Sequence, residues 1–297
     1  MPFRDFAIML AVCLVWAAQN IISRSVVTTM GVPPLFYAAV RFAVVALVTF
    51  PFLRPAPRPL WRLIVVSLLM GGGNFALIFV GLKTATPSSA AVVQQLGLPI
   101  TTLLSVVMLG ERIRWRRGLG ILLTFAGAMT VMWDPHGVRL SGGLMLIAVS
   151  AAVSSLGAVM MKQMEGVKPL TFQAWVGLSS LVALTPMSAA LEPGQVQAGL
   201  AAGWPFAAAV LFSALVVSVV AHTAYYGLIQ RHEANLISAL TLMTPLFTIS
   251  LGVALLHDPF GPRMAIGTAV AMTGVLIIAL RGNRVMAKLM ALGTKPQ

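Results

Sequence analysis

The chain is made of apolar stretches about 20 residues long, separated by short polar connections that are rich in proline and glycine. A helix rises 1.5 Å per residue, so about 20 residues cross the roughly 30 Å hydrocarbon layer of a bilayer. Backbone amides inside lipid need partners within their own segment, which requires these stretches to be helices. Only 9% of the residues are charged, against roughly 25% in soluble domains. The sequence therefore predicts an integral membrane protein.

The boundaries of the spans follow from the prolines, glycines and charges between them. We predict ten transmembrane helices, at 6–28, 34–53, 62–82, 88–109, 117–133, 141–161, 171–190, 205–228, 234–256 and 263–281. The first stretch is interpreted as a span and not as a removable signal, because no small-residue cleavage site follows a short apolar core. The single cysteine, Cys13, excludes an internal disulfide framework.

The basic residues are divided unequally between alternate connections. With a cytoplasmic N-terminus, fifteen of the 20 Lys and Arg residues lie inside, where membrane proteins concentrate them. The outside connections carry Lys83, Arg139 and Arg263, and the spans carry Arg24 and Arg41. We therefore expect both termini in the cytoplasm and the protein in the cell inner (plasma) membrane. The net charge of +13 then indicates topology and not a nucleic-acid partner.

The two halves of the chain share an order of glycines and prolines. The segment 31–35 recurs at 166–170, and the related pairs are Gly81 and Gly227, Pro99 and Pro245, Gly120 and Gly267, and Gly127 and Gly274. Because five is an odd number, the second copy of a five-span unit enters the membrane from the opposite side. The connections of the two copies also have opposite charge bias, as an inverted repeat requires. We therefore predict an all-α integral membrane protein whose ten transmembrane helices form two inverted five-helix repeats, residues 1–135 and 136–297. Two inverted halves can adopt two similar conformations that open to opposite sides of the membrane, which is the basis of alternating access.

These features resemble the EamA branch of the drug/metabolite transporter superfamily over about residues 5–282. The shared features are ten spans, two repeats, a proline mid-way along the fourth helix of each, and the Gly110-Glu111 turn that follows. The second copy departs from the pattern with His257-Asp258. Within the branch the chain is similar to exporters of aromatic and other neutral amino acids. The resemblance implies a transporter and not an enzyme.

Polar and aromatic residues inside the spans are the candidates for contact with a solute, because an unpaired buried amide or hydroxyl costs about 1–3 kcal/mol. The expected solute contacts are Trp16, Asn20, Asn74, Phe75, Phe79, Gln95, Leu98, Ser155, Trp175, His222, Tyr225, Thr241 and Thr244. Contacts between helices are the competing explanation for the amides and the histidine. For Ser and Thr, it is a hydrogen bond to their own helix.

Pro99 and Pro245 stand at related positions in spans 4 and 9, where each removes a backbone donor. We expect them to act as hinges, and a kink without function is the alternative. Arg24 and Arg41 have valines at the related positions. Snorkelling to the outer surface is the favoured explanation for both arginines, and attraction of a solute carboxylate is the alternative. The glycine pairs of spans 5 and 10 predict close helix packing.

All seven carboxylates fall in predicted connections or at helix ends. A proton-driven exporter of cations usually needs an acid within a span that exchanges its proton for the solute. We therefore predict export of neutral or zwitterionic metabolites, mainly amino acids, without such an acid. Multidrug or other metabolite efflux is the alternative. An intramembrane enzyme is less favoured, because no acid is placed to orient His222.

The expected partners follow from this interpretation. They are a small-molecule solute and the lipid bilayer, with no nucleic acid, and we expect the protein to be a monomer. The same interpretation requires no cofactor and no metal.

Overall fold

The computed structural model describes residues 2–54, 58–110, 115–134, 139–164, 167–232, 237 and 240–279. These residues are mainly helical, and a two-residue antiparallel ladder joins Trp133–Asp134 to Arg139–Leu140. The elements are α1 (Phe3–Thr28), α2 (Pro34–Thr49), a 3₁₀ helix (Phe50–Leu53), α3 (Leu60–Met70), α4 (Gly72–Gly81), α5 (Pro87–Gln94), α6 (Gly97–Leu109), α7 (Trp115–Met132), β1 (Trp133–Asp134), β2 (Arg139–Leu140), α8 (Gly142–Lys162), α9 (Pro169–Leu191), α10 (Gln195–Ala201), α11 (Gly203–Leu211), a π-helix (Phe212–Ala221), α12 (His222–Arg231), α13 (Met243–Leu256) and α14 (Pro262–Ala279).

Seven helical segments of the described ranges are long and apolar enough to cross a membrane: Phe3–Thr28, Pro34–Leu53, Leu60–Gly81, Pro87–Met108, Gly142–Met161, Pro169–Leu191 and Gly203–Tyr225. Three shorter apolar helices, Gly118–Met132, Met243–Leu256 and Pro262–Ile278, coincide with the other predicted spans. The helical fold class is confirmed, and the chain is a multi-pass membrane protein.

Large apolar side chains cover the outside of the helices. Val107 is 82% exposed, Leu47 is 76% exposed and Leu122 is 69% exposed. A soluble monomer rarely leaves apolar surface of this extent in water. Lipid chains cover such side chains without a hydrophobic penalty, so the exterior suits a bilayer.

Helices α7 and α14 pack antiparallel through their glycines. A Cβ on Gly127 would lie 2.3 Å from the backbone nitrogen of Ala271 and 2.5 Å from the carbonyl oxygen of Gly267. A Cβ on Gly120 would lie 2.8 Å from the carbonyl oxygen of Gly274. Backbones this close leave no room for a side chain. The predicted packing role of these glycines is confirmed.

The first helix of each half packs among helices of the other half. Helix α1 contacts the π-helix, α12 and α13, and α8 contacts α3, α4, α5 and α6. Helix α2 packs against α9, and α5 packs against α13. This arrangement brings side chains of α1 and α2 to the π-helix.

Several helices are interrupted at positions that are about 146 residues apart in the chain. Turns at Gln95–Leu96 and Thr241–Leu242, which are 146 residues apart, come just before Pro99 and Pro245. The junction of α3 and α4 lies at Gly71, and the position 146 residues further along the chain lies inside the π-helix. Discontinuous helices of this kind form solute sites in many transporters, because they free backbone groups and allow bending.

Candidate solute-binding site

Gln19 on α1 connects helices of both halves. Its side-chain nitrogen donates to the hydroxyl of Ser23 at 2.7 Å and to that of Tyr37 at 3.2 Å. Its amide oxygen accepts from the hydroxyl of Ser213 at 2.7 Å. The hydroxyls of Tyr37 and Ser213 are also hydrogen-bonded to each other. All four residues are buried, so α1, α2 and the π-helix meet in a polar network.

Arg41 lies one turn after Tyr37 on α2, and its side chain is 0% exposed. Its Nη2 donates to the hydroxyl of Ser218 at 2.9 Å. Gln173 on α9 donates to the carbonyl oxygen of Ser218 at 2.8 Å. The snorkelling prediction is therefore wrong for Arg41, because its guanidinium is directed into the contact between α2 and the π-helix.

Arg24 makes a different contact near the end of α1. It is half-buried and donates to the carbonyl oxygen of Leu82, which follows α4. Its charge therefore lies near the helix ends, away from the contacts of the Arg41 guanidinium.

Aromatic rings lie against the guanidinium of Arg41. Its Cζ is 4.0 Å from the ring centroid of Phe75 and 5.6 Å from that of Phe42. The ring of Phe75 is 5.8 Å from that of Phe79, which stacks on Tyr37 at 4.7 Å. An aromatic face attracts a cation through its quadrupole. The predicted contact residues Phe75 and Phe79 thus pack in one cluster with the buried guanidinium of Arg41.

A second aromatic group lies between α1 and α12. The ring of Trp16 is 5.4 Å from that of His222 and 5.0 Å from that of Tyr225. Nδ1 of His222 is 2.7 Å from the carbonyl oxygen of Val217, so this nitrogen carries the hydrogen and donates. The structure brings these three predicted residues together.

The π-helix sets the positions of Ser213, Ser218 and His222. Its hydrogen bonds join residues five apart instead of four. Ser218 donates its hydroxyl to the carbonyl oxygen of Ser213 at 3.1 Å, and His222 contacts the carbonyl oxygen five residues before it. Single π-helical turns occur frequently at functional sites. Here the wider helix directs two serines to the α1–α2 side.

Two predicted residues, Ser155 on α8 and Gln95 in the turn before α6, donate hydrogen bonds to the backbone. Ser155 donates to the carbonyl oxygen of Gly97 at 2.8 Å, which joins α8 to the start of α6. The side chain of Gln95 donates to the carbonyl oxygen of Ala91 at 3.4 Å. Leu98 is half-buried beside the helix interruption. For Ser155 and Gln95, these bonds are what packing alone would produce.

Three other predicted residues are half-buried: Asn20, Asn74 and Trp175. The indole nitrogen of Trp175 is buried and has no hydrogen-bond partner among the described residues. A solute or water is needed to satisfy such groups.

Thr241 lies in the turn before α13, and Thr244 lies in the first turn of α13. The backbone N–H of Thr244 donates to the carbonyl oxygen of Thr241 at 2.9 Å. The neighbouring Leu240 accepts from the thiol of Cys13 on α1 at 3.6 Å. The two threonines therefore lie beside α1.

Sequence reasoning did not select Tyr37, Gln173 or Ser213, and for Arg41 it favoured the outer surface over a contact with a solute carboxylate. Tyr37 and Arg41 are four residues apart, which puts both on one face of α2. That spacing was the available signal. Ser213 and Ser218 come to one side only in the wider helix, so an α-helical period does not align them.

Comparison with known proteins identifies related chains. The model of the EamA-like transporter family matches residues 5–133 and 141–280. Proteins of Salmonella typhimurium and Escherichia coli, each named "Probable amino-acid metabolite efflux pump", are 23% identical over 93% of this chain and 95% of their own. A Bacillus subtilis protein named as an uncharacterized transporter is 24% identical over 99% of this chain and 98% of its own. A solved crystal structure that is 21% identical covers 100% of both chains with a TM-score of 0.63, which shows the same fold.

Proposed function

Because the chain belongs to the EamA-like transporter family, we propose that it exports small neutral or zwitterionic metabolites, mainly aromatic and other neutral amino acids. The names of the relatives, amino-acid metabolite efflux pumps, support this class of solute. The observation that carries the proposal is the buried group of Gln19, Tyr37 and Arg41, which contacts helices of both halves. Polar groups inside membrane spans usually face a path for solutes or ions.

The two halves, residues 1–135 and 136–297, are inverted repeats in this proposal. The contact of α7 with α14 supports it, because Gly120 meets Gly274 and Gly127 meets Gly267. Such exchanged contacts are those of a two-fold axis. When the two helices are antiparallel, that axis is perpendicular to them, and for spanning helices it lies in the membrane plane. An axis in this plane inverts the second copy.

Orientation in the membrane follows from the charges of the connections. Both termini are cytoplasmic in this proposal, and the protein lies in the inner membrane, as suits relatives from bacteria. The connections before α2 and α5, and those after α9 and α13, then face outward.

Alternating access needs helices that bend at the site. Pro99 and Pro245 are the proposed hinges, supported by the helix interruptions just before them. Gly71 and the π-helix provide a second related pair of irregular positions. Three of these positions lie on or beside helices that contribute predicted solute contacts, and the π-helix leads directly into His222 on α12. Bending at these positions therefore changes the shape of the site.

The three carboxylates whose contacts the structure describes, those of Asp5, Glu192 and Asp258, are engaged at helix ends. Asp5 contacts His232 at 2.6 Å in the first turn of α1, Glu192 follows α9 and Asp258 follows α13. A cationic drug therefore meets the positive charge of Arg41 and no described acid in the spans. This arrangement favours neutral or zwitterionic solutes over cations.

Exchange in proteoliposomes tests the proposal. The purified protein would be loaded with unlabelled phenylalanine, and uptake of labelled phenylalanine, leucine, threonine, lysine and the cationic dye ethidium would be compared. We expect exchange of the neutral amino acids and none of lysine or ethidium. Exchange of ethidium alone would favour multidrug efflux, and the absence of amino-acid exchange would refute the proposal.

A matched pair of variants links this activity to the buried network. Gln19→Ala leaves Tyr37 and Ser213 without their amide partner, and we expect about tenfold slower exchange, as for a lost hydrogen bond of ~1.4 kcal/mol. Gln163→Ala alters an exposed glutamine after α8 and should exchange at the rate of the unmodified protein. Equal exchange rates for the two variants would show that the network does not contribute to transport.

A further inference from the structure

Arg41 carries a buried charge, and none of the three acidic side chains that the structure describes contacts it. Asp5 is engaged with His232, Glu192 with the backbone of α2, and Asp258 with Ser88. A buried charge without a partner is strongly unfavourable. Its cation–π contact with Phe75 and its bond to Ser218 compensate for only part of the hydration that the guanidinium loses.

The guanidinium also has donors that are not used. Nε and Nη1 of Arg41 are buried and have no hydrogen-bond partner among the described residues. The two edges of a guanidinium that match the two oxygens of a carboxylate, Nε–Nη2 and Nη1–Nη2, share Nη2. A bidentate carboxylate would therefore use one of the free donors together with Nη2, which Ser218 occupies in this structure. A protein carboxylate would fill this role in a static structure. In a transporter, the transported molecule can fill it.

We propose that Arg41 binds the carboxylate of the transported molecule, so that the solutes are small zwitterions whose apolar groups contact Phe75 and Phe79. The inference rests on the proposed function and names the group that the site recognises. The rings of Phe75 and Phe79 are 5.8 Å apart, and Phe75 already touches the guanidinium. A molecule bound to Arg41 through its carboxylate therefore has an aromatic surface beside it, which suits aromatic and other apolar side groups.

Access to Arg41 requires movement of the π-helix. Ser218 covers Nη2, and Gln173 holds the backbone of Ser218. With 0% of the side chain exposed, the solute reaches the guanidinium only when α2 and the π-helix separate. The Ser218 contact then belongs to a closed conformation. The carboxylate replaces it when the site opens.

The competing explanation is that Arg41 only holds α2 to the π-helix. If that is its role, substitution of Arg41 lowers the stability of the protein and slows the exchange of all solutes alike. It does not change the preference for a carboxylate over an uncharged group at the same place. The preference itself is therefore the measurement that separates the two explanations.

The test is competition against labelled phenylalanine in proteoliposomes, with phenylalanine and phenylalaninamide as the competitors. The two molecules differ in the carboxylate that the amide lacks. For the unmodified protein, we expect phenylalanine to compete about 10- to 100-fold more strongly, as for a charge-assisted pair. Equal competition by the amide would overturn the inference and leave the proposed function standing. Failure of any neutral amino acid to exchange would overturn both.

Variants test whether the preference for phenylalanine over phenylalaninamide depends on Arg41. We expect Arg41→Gln to abolish the preference for the acid, and Arg41→Lys to retain part of it, because the charge remains without the fork. Arg24→Gln, which removes the other arginine of the spans, should keep the full preference. Should Arg41→Gln not fold, Arg41→Lys and the unmodified protein still decide the question. An unchanged preference in Arg41→Lys and Arg41→Gln would overturn the inference.

Discussion

The carboxylate of Asp258 accepts two hydrogen bonds from Ser88, from the backbone N–H at 3.0 Å and from the hydroxyl at 2.5 Å. Glu192 does the same at the start of α2, where the N–H groups of Leu35 and Phe36 donate at 2.9 Å and 2.8 Å. In both contacts, a carboxylate of the second half caps the N-terminus of a helix of the first half, where the helix dipole favours negative charge. Both contacts lie at the end that we assign to the outer face.

Asp258→Ala should shift the protein toward a form that is open at this face. The lost cap is worth about 1–2 kcal/mol, which changes a two-state ratio by about 5–30-fold. The measurement is labelling of a cysteine at Ala85, a buried position just before α5, with an impermeant maleimide. The background carries Cys13→Ala, which removes the single native cysteine.

Lys83→Gln serves as the control for this experiment, because Lys83 is exposed in the connection between α4 and α5, just before Ser88. It should leave the labelling of the cysteine unchanged. Unchanged labelling in Asp258→Ala would show that the contact with Ser88 does not hold the outer face closed.

Gly127→Ala should destabilise the protein through the contact of α7 with α14. The added Cβ would meet the backbone nitrogen of Ala271 at 2.3 Å, and such overpacking costs about 1–3 kcal/mol. Gly118→Ala is the matched control on the same helix, since its Cβ would meet nothing within 4 Å. Thermal unfolding in detergent compares the two. Equal midpoints for both variants would contradict the close packing of α7 and α14.

Pro99→Ala and Pro245→Ala should slow exchange, because alanine restores a backbone donor and allows a continuous helix. We expect about tenfold slower exchange of phenylalanine, which corresponds to ~1.4 kcal/mol in the barrier, with no loss of stability. The control is Pro186→Ala, which alters a proline inside the uninterrupted helix α9. Exchange at the native rate in both hinge variants would remove the hinge role.

Transport should not require a proton gradient. The described residues place their carboxylates at helix ends, and His222 is held by the carbonyl oxygen of Val217. Efflux of phenylalanine down its own gradient should therefore proceed at similar rates with equal and unequal pH across the liposome membrane. Strict dependence on the pH gradient that survives His222→Gln would contradict this expectation.

Labelling of single cysteines tests the inverted arrangement. In the Cys13→Ala background, cysteines at Arg54 and Arg116 should be labelled only from the cytoplasmic side, and those at Lys83 and Arg263 only from outside. All four residues lie at ends of helical segments. Arg54 and Arg116 on opposite sides of the membrane would contradict the predicted topology and, with it, the inverted repeat.

The turn after α13 shows what a comparison of residue types misses. The sequence of this copy has His257-Asp258 where the first copy has Gly110-Glu111, and this looked like a departure from the repeat. In the structure, both Gly110 (φ 68°) and His257 (φ 55°) end their helices in the left-handed conformation. Glycine adopts this conformation freely and histidine does not. Residue identity alone therefore did not reveal the shared turn.

The direction in which a side chain points from its helix could not be predicted from the sequence either. Arg41 was predicted near the outer surface from its distance to the end of the span, which gives depth and not direction. Its partner Ser218 is 177 residues away in the chain and lies on a π-helix. No local pattern of residues connects them.

The apolar lengths, the charges of the connections and the recurring glycines determined the helical spans and the packing of α7 on α14. These properties can be predicted from the sequence for two reasons. In lipid, each span must form its backbone hydrogen bonds within itself, and a glycine permits close approach of helices wherever it occurs. Only the tertiary structure decided which polar side chains meet. Hydrogen bonds and cation–π contacts such as those of Arg41 depend on distances and directions between helices far apart in the chain, and these arise only when the helices pack.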